Sequence, residues 1–368
     1  MVVDARGRLC EDIVERVLAG ERLSPADAVL LLGEGGLHLL GAAADEVRRR
    51  RYPENYATFL IDRNINYTNV CVTQCHFCAF HRDDDHPEAY LLTVEEVLRR
   101  VEEAVAQGAT QIMLQGGHHP RLGIEYFECL FAAIKARFAE VALHSLSPSE
   151  VLHTARVSLL SVAETLRRLR EAGLDSLPGG GAEILVDRVR RAVGRSHPTA
   201  REWLGVMEEA HRQGMRTTAT MMLGSVETIE DRVEHLQAIR SSQDRVGPNA
   251  GFRAFIPWKY QPVNTRLGGQ VTSSFDYLRT LAVSRLFLDN VDHIQGGWLT
   301  PGKDVGQVSL SFGADDFGSI MLEENVVRAA GVSRQMTRDE MICLIRAAGR
   351  IPAQRDTSYN ISRVFGES

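Results

Sequence analysis

From residue 60 onward the chain repeats one pattern: an apolar run, a turn carrying Gly or Pro, a Ser or Thr followed three residues later by Glu, then apolar positions at helical spacing. Thr93 with Glu96, Ser161 with Glu164 and Thr199 with Glu202 read as capping boxes, whose side chains satisfy the amides left unpaired at a helix start. Gly108, Gly173 and Gly214 stand where those helices should stop. The runs between them are short and rich in apolar residues or Thr, which predicts strands buried between helices. The candidates are INYTNVCV, TQIMLQGG, VALHSLS, LDSLPGGGAEI, RTTATMMLG, GFRAFIPW, DHIQGGWL and SLSFGADDFGS. Strands alternating with helices predict an α/β chain folded as a (β/α) TIM-type barrel with eight parallel strands and right-handed crossovers. The last two units are irregular, and a partial barrel of six strands also fits.

The first fifty residues break this rhythm and read as short helices, one opened by Ser24 with Pro25 and Asp27 behind it. The expected division is therefore a helical extension over residues 1–54, a barrel over 55–335, and a C-terminal helix and tail over 336–368 closing the barrel mouth. The clearest loop is SSQDRVGPNAG, between the fifth helix and the sixth strand.

Charge narrows the function. With 42 basic and 48 acidic side chains the formal net charge is −6, which argues against a nucleic-acid surface spread over the protein. All the basic residues except Lys135, Lys259 and Lys303 are Arg, so a Schiff-base mechanism has three candidates. No run approaches the roughly 20 apolar residues of a membrane span, and MVVDARGRLCED lacks a signal-peptide core, so no membrane partner and a cytoplasmic location are expected.

The six cysteines change the picture most. Cys71, Cys75 and Cys78 form C-x3-C-x2-C directly after a predicted strand, at the barrel end where such folds place their chemistry. Soft thiolates at this spacing suit three irons of a cubane cluster and leave the fourth iron without a protein ligand, free to bind a small molecule. Cys129 and Cys343 fall inside helical runs and read as small, buried or half-buried hydrophobes. Zinc is the competing metal, with His76 or His81 completing the set in a non-catalytic binding module, but the triplet lacks a second C-x2-C pair.

With Phe77 before its last Cys, the triplet resembles the signature of radical S-adenosylmethionine (SAM) enzymes, whose fold is a full or partial (β/α) barrel. The resemblance implies a [4Fe-4S] cluster on the three cysteines, SAM as a consumed cosubstrate, and an electron donor such as flavodoxin or ferredoxin. Gly116 and Gly117 match the family's glycine-rich SAM motif, although His118 replaces its usual Glu. The cofactor contacts expected with them are Phe77, Glu183, Arg188 as a partner for the SAM carboxylate, Thr218 and Gly224.

Longer strings, among them RNINYTNVC, CHFCAFHR, AGLDSLPGGGAEIL, FGADDFGS and PAQRDTSYN, resemble the menaquinone (futalosine pathway) branch over approximately residues 55 to 362. That branch implies a small-molecule substrate, dehypoxanthine futalosine, a ribose linked by carbons to a benzoate. The reaction implied is loss of the ribose C4′ hydrogen, closure of the carbon radical onto the aromatic ring, and loss of an electron and a proton. His118 is the expected proton acceptor or substrate contact, with Arg63, Asn66, Asp289 and Arg355 as further substrate contacts. Aminofutalosine synthase and FO synthase subunits share the triplet and are the nearest enzymatic alternatives. Asp315 with Asp316 and Glu323 with Glu324 read as solvated caps.

Overall fold

In the computed structural model, which describes residues 5–247 and 250–366, the apolar runs give ten strands. These are β1 (Tyr56–Leu60), β2 (Asp62–Ile65), β3 (Gln111–Leu114), β4 (Ala142–Leu143), β5 (Arg216–Leu223), β6 (Gly251–Lys259), β7 (His293–Ile294), β8 (Asp316–Ser319), β9 (Ile351–Arg355) and β10 (Ile361–Val364). They pair as β2-β3-β4, β5-β6-β7 and β10-β9-β1-β8, all parallel except β10 on β9. Single contacts join these sheets into a TIM-type barrel. Ser176 bridges His144 after β4, Leu177 O accepts from Thr218 N at 3.2 Å, Gln295 bridges Asp316, and Asp62 O of β2 accepts from Leu322 N, just after β8, at 2.9 Å.

Two predicted strands differ. The first barrel strand lies at β2, before most of INYTNVCV; in the stretch that follows, Asn66, Thr68 and Asn69 turn their side chains onto the backbone of Gln115, Tyr90 and Glu88. The fourth candidate shrinks to the bridge at Ser176, because Pro178 and Gly179–Gly181 cannot sustain a ladder.

Capping fixes where the helices start. The boxes at Thr93 and Thr199 form reciprocally, and Ser161 Oγ accepts from Glu164 N. Further boxes form at Ser147 with Glu150, Thr228 with Asp231 and Thr337 with Glu340. Helices Ala5–Leu18, Pro25–Glu34 and Leu37–Arg51 form a layer against helices Ile229–Asp244 and Ser274–Phe287. Among the described residues no helix is long and apolar enough to cross a membrane.

The C-terminal segment closes the opposite end of the barrel from the one expected. Arg355 pairs with Asp316 at the start of β8, Thr357 Oγ1 donates to Gln111 Oε1 at the start of β3, and Tyr359 stacks on His293 of β7 at 3.6 Å. All three anchors lie at the N-terminal strand ends, so residues 355–359 form a floor and leave the cysteine end open to the loops.

Candidate active site at the cysteine loop and the barrel cavity

The loop carrying Cys71, Cys75 and Cys78 is held from several sides by backbone hydrogen bonds. Val72 N donates to His118 O (3.1 Å), His76 N to Val193 O (2.7 Å), and Leu267 N to His76 O (2.8 Å). The three thiols lie close enough that Cys71 and Cys78, after burial, push the Cys75 thiol well up. Yet among the described residues no three His, Cys, Asp or Glu side chains close on a point that would hold one metal ion. Three soft thiols on one loop are a donor set suited to an iron–sulfur cluster with one thiolate per iron. His76 and His81 are committed elsewhere, with Nδ1 on the carbonyls of Ala192 and Cys78 and Arg266 against Nε2 of His81. Cys129 and Cys343 are exposed, contrary to expectation, because each falls on the solvent face of its helix; Cys10 is buried.

The two glycines have a steric role. A Cβ on Gly116 would meet the Tyr67 ring at 2.6 Å, and one on Gly117 would meet Val70 O at 2.1 Å and Cys71 Cβ at 2.9 Å. Glu150, at the start of its helix, accepts from Gly116 N and from the Tyr67 hydroxyl, both at 2.9 Å, and locks the glycine loop against the cysteine loop. Gly117→Ala is therefore expected to cost about 1–3 kcal/mol and to lower the iron bound after anaerobic reconstitution, since backbone cannot rotate away. Unchanged melting and iron content would show that the loops yield.

Below the cysteine loop a cavity of about 340 Å³ runs into the barrel, bounded at the top by Phe77, Glu183 and Trp258 and at the bottom by His144, Arg253 and Tyr359. Glu183 is held at φ 41°, a left-handed conformation that a non-Gly residue adopts at a cost. Beside it His197, whose side chain is 2% exposed, has no hydrogen-bond partner on either ring nitrogen among the described residues, and its Nε2 lies 3.5 Å from Glu183 Oε1. Phe77 faces His197 at 6.1 Å. A buried imidazole and a carboxylate left incomplete beside three thiols fit a polar group bound with an iron–sulfur cluster.

Of the expected cofactor contacts, Phe77, Glu183 and Thr218 line the cavity, Thr218 near the floor at the level of Ala254. Arg188 does not: it is drawn outward onto Asp231, which caps the next helix. The buried neighbour Arg190 instead braces the glycine turn, donating to the carbonyls of Gly181, Ala182 and Pro198. Gly224 also lies off the cavity, its amide bound to Glu227 at 2.6 Å in a network with Arg232 and Asp276.

The expected substrate contacts fare less well. His118 sits in a separate small pocket with Tyr67 and His153, stacked on His153 at 5.0 Å and bonded to Thr73 through Nδ1. Burial, then the neighbouring His153, pushes it down to about 3, so it is neutral and outside the cavity. Arg63 is held by Glu103 and Glu323. Asp289 is at the surface, paired with Arg22 of the N-terminal layer. Asn66 is buried and donates to Gln115 O, but does not line the cavity. Arg355 does line it, with its charge spent on Asp316. Asp315 and Asp316 are not solvated caps but are buried in ion pairs; Glu324 does cap its helix, accepting from Val326 N and Val327 N, yet it lines the cavity and takes a hydrogen bond from Asn64 at 2.7 Å. Sequence reasoning missed Gln111, Gln115, His144 and Arg253; an Arg inside the apolar run GFRAF was the available signal.

Residues 65–239 match the Radical SAM superfamily, and residues 249–367 match the CofH/MqnC C-terminal region. The chain is 54% identical over 353 residues to cyclic dehypoxanthine futalosine synthase of Streptomyces coelicolor, covering 95% of this chain and 88% of that protein. It is 47% identical over 356 residues to the protein of the same name from Halalkalibacterium halodurans, covering 96% and 95%. Among solved structures, the FeFe-hydrogenase maturase HydG from Carboxydothermus hydrogenoformans superposes with a TM-score of 0.74 at 15% identity, covering 96% of this chain and 81% of that one. At that identity the likeness is one of fold.

Proposed function

This chain belongs to the radical SAM superfamily, in the branch with a CofH/MqnC C-terminal region, and from that premise we propose that it converts dehypoxanthine futalosine to cyclic dehypoxanthine futalosine in menaquinone biosynthesis. The observation that carries this reading is the C-x3-C-x2-C loop standing over a cavity closed at its far end. Cys71, Cys75 and Cys78 would hold a [4Fe-4S] cluster which, with SAM, supplies the 5′-deoxyadenosyl radical as hydrogen-abstracting agent.

The chain's own residues orient and enclose the substrate. Glu183 and His197 offer a polar pair to the cosubstrate at the cavity top. Asn64, Gln115 and Glu324 form a hydrogen-bonded wall suited to ribose hydroxyls, with Asn64 donating to both of the others. Trp258, Trp298 and Phe317 supply apolar wall to the cavity and keep water from a carbon radical. An external one-electron donor such as flavodoxin or ferredoxin completes the cycle in the cytoplasm.

Product identification tests this reading. Anaerobically reconstituted protein is incubated with SAM, dithionite and dehypoxanthine futalosine, or the substrates of aminofutalosine synthase or FO synthase. The expected result is a cyclised product of unchanged substrate mass less two hydrogens from dehypoxanthine futalosine alone. Turnover of only one of the others overturns the assignment.

A further inference from the structure

Arg253 is the extra residue of a β-bulge. Along the β5-β6 ladder Thr217 pairs with Phe252 and Thr218 with Ala254, so Arg253 has no partner in the register. The bulge lets Arg253 and Ile256, three residues apart, both line the cavity, where a regular strand would send them to opposite faces. Phe252 and Phe255 face the helices instead, the first against His211 at 4.8 Å and the second against His235 at 6.1 Å.

Arg253 so placed is 4% exposed, and its guanidinium forms no ion pair with a carboxylate among the described residues. Four other buried arginines are more fully partnered. Arg285 and Arg355 pair with Asp315 and Asp316, Arg190 is saturated by three carbonyls, and Arg240 bonds two carbonyls and Gln237 Oε1. Arg253 has Arg216 O on Nη1 and His144 Nδ1 on Nη2 at 3.1 Å. Carboxylates nearby are engaged: Asp316 holds Arg355, and Asp356 caps its own turn through Ser358 N and Asn360 N. Burial pulls Arg253 down to about 9, which still leaves it charged at neutral pH. An unpaired charge this deep is costly, and the cavity is the direction from which an anion can meet it.

His144 fits the same role. His144 Nδ1 lies 2.9 Å from Ser176 Oγ and 3.1 Å from Arg253 Nη2, and its Nε2 lies 3.5 Å from Thr218 Oγ1; with Nδ1 accepting from the guanidinium, which has only donors, the ring proton sits on Nε2, towards the cavity. Burial holds His144 well below its ordinary range, keeping it a neutral donor.

We propose that Arg253, with His144 beside it, anchors the benzoate carboxylate of the substrate at the cavity floor. This rests on the function proposed above, which supplies a substrate with an anionic end. It also sets the orientation. Arg253 and Trp258 are five residues apart on β6, roughly 17 Å along a strand, so the carboxylate points to the floor and the ribose lies towards the cysteine loop.

The test compares dehypoxanthine futalosine with its methyl ester on reconstituted wild type, Arg253→Gln and Arg253→Lys, with binding read from the fluorescence of the cavity tryptophans Trp258 and Trp298. Wild type is expected to prefer the acid by about 100-fold. Arg253→Gln should bind acid and ester alike, with the KM for the acid raised by a similar factor and a smaller change in kcat. The ratio is internal to each preparation, so partial misfolding cannot imitate its loss. If the Gln variant does not fold, Arg253→Lys, which keeps the charge but not the fork, should lose about 10-fold of the preference. An undiminished acid preference in the variant overturns the proposal. If wild type fails to cyclise dehypoxanthine futalosine, the pathway reading falls, and 3-acetylbenzoate against its methyl ester still reads the anion site: loss of preference in the variant supports it, and retention overturns it.

Discussion

Alanine at any one of Cys71, Cys75 or Cys78 is expected to abolish both turnover and the cubane spectrum of reconstituted protein. Each thiolate would hold a different iron, so losing one opens a second corner of the cluster and leaves two protein ligands for four irons. The effect is all-or-none because no spare ligand stands by. His76 and His81 are bonded to backbone carbonyls, and Cys129 and Cys343 are exposed on helices Ile124–Arg137 and Arg338–Ala347, away from the loop. Cys129→Ala and Cys343→Ala should accordingly retain full iron, sulfide and activity. Iron and sulfide analysis with electron paramagnetic resonance checks both halves. Bound zinc without iron or sulfide would favour the structural-zinc alternative, and loss of the cluster in the Cys343 variant would mean four-ligand electron transfer.

The cysteine loop and most of the barrel were legible because their signals are local. Three thiols within eight residues, a Ser or Thr three residues before a Glu, and a glycine at a helix end each carry their meaning within one turn of chain. Ser147 with Glu150 has the same signature; what the sequence hides is that Glu150 also reaches Tyr67 and Gly116 from other elements. Cavity polar groups were harder for the same reason. Whether Arg63, Arg253 or Arg355 is available to an anion depends on partners far away in sequence, Glu323 for the first and Asp316 for the last, with no carboxylate on Arg253 among the described residues. The bulge that turns Arg253 inward is a property of the β5-β6 register, which no run of side chains on β6 alone declares. The C-terminal tail was misplaced because strand periodicity does not say at which barrel end a parallel strand such as β9 will join.

The largest loss of stability from a single charge is expected at Asp315, beneath the cavity floor. Its carboxylate accepts from Arg285, from His293 Nδ1 at 2.5 Å and from Ile294 N at 2.9 Å, and both it and Arg285 are almost wholly buried. Burial alone would raise the carboxyl, but the charges of Arg285 and His293 outweigh it and hold Asp315 below the usual carboxylate range. Asp315→Asn keeps the shape and removes the charge, leaving Arg285 buried without a counter-ion, at an expected cost of about 3–5 kcal/mol. The sign with pH follows. A carboxylate whose folded pKa lies below its unfolded value of about 3.9 contributes stability above that value and loses it as pH falls through the folded one. Denaturant midpoints should therefore separate wild type from Asp315→Asn widely at pH 7 and converge below about pH 4. Asp315→Asn combined with Arg285→Met should recover part of the loss, since no unpaired charge remains. Because His293 joins Asp315 to the Tyr359 ring at 3.6 Å, the single variant should also loosen the floor against which the substrate carboxylate is held. A constant midpoint difference across this pH range would mean that Asp315 contributes packing alone, and that the floor owes its rigidity to Arg355 and Asp316 instead.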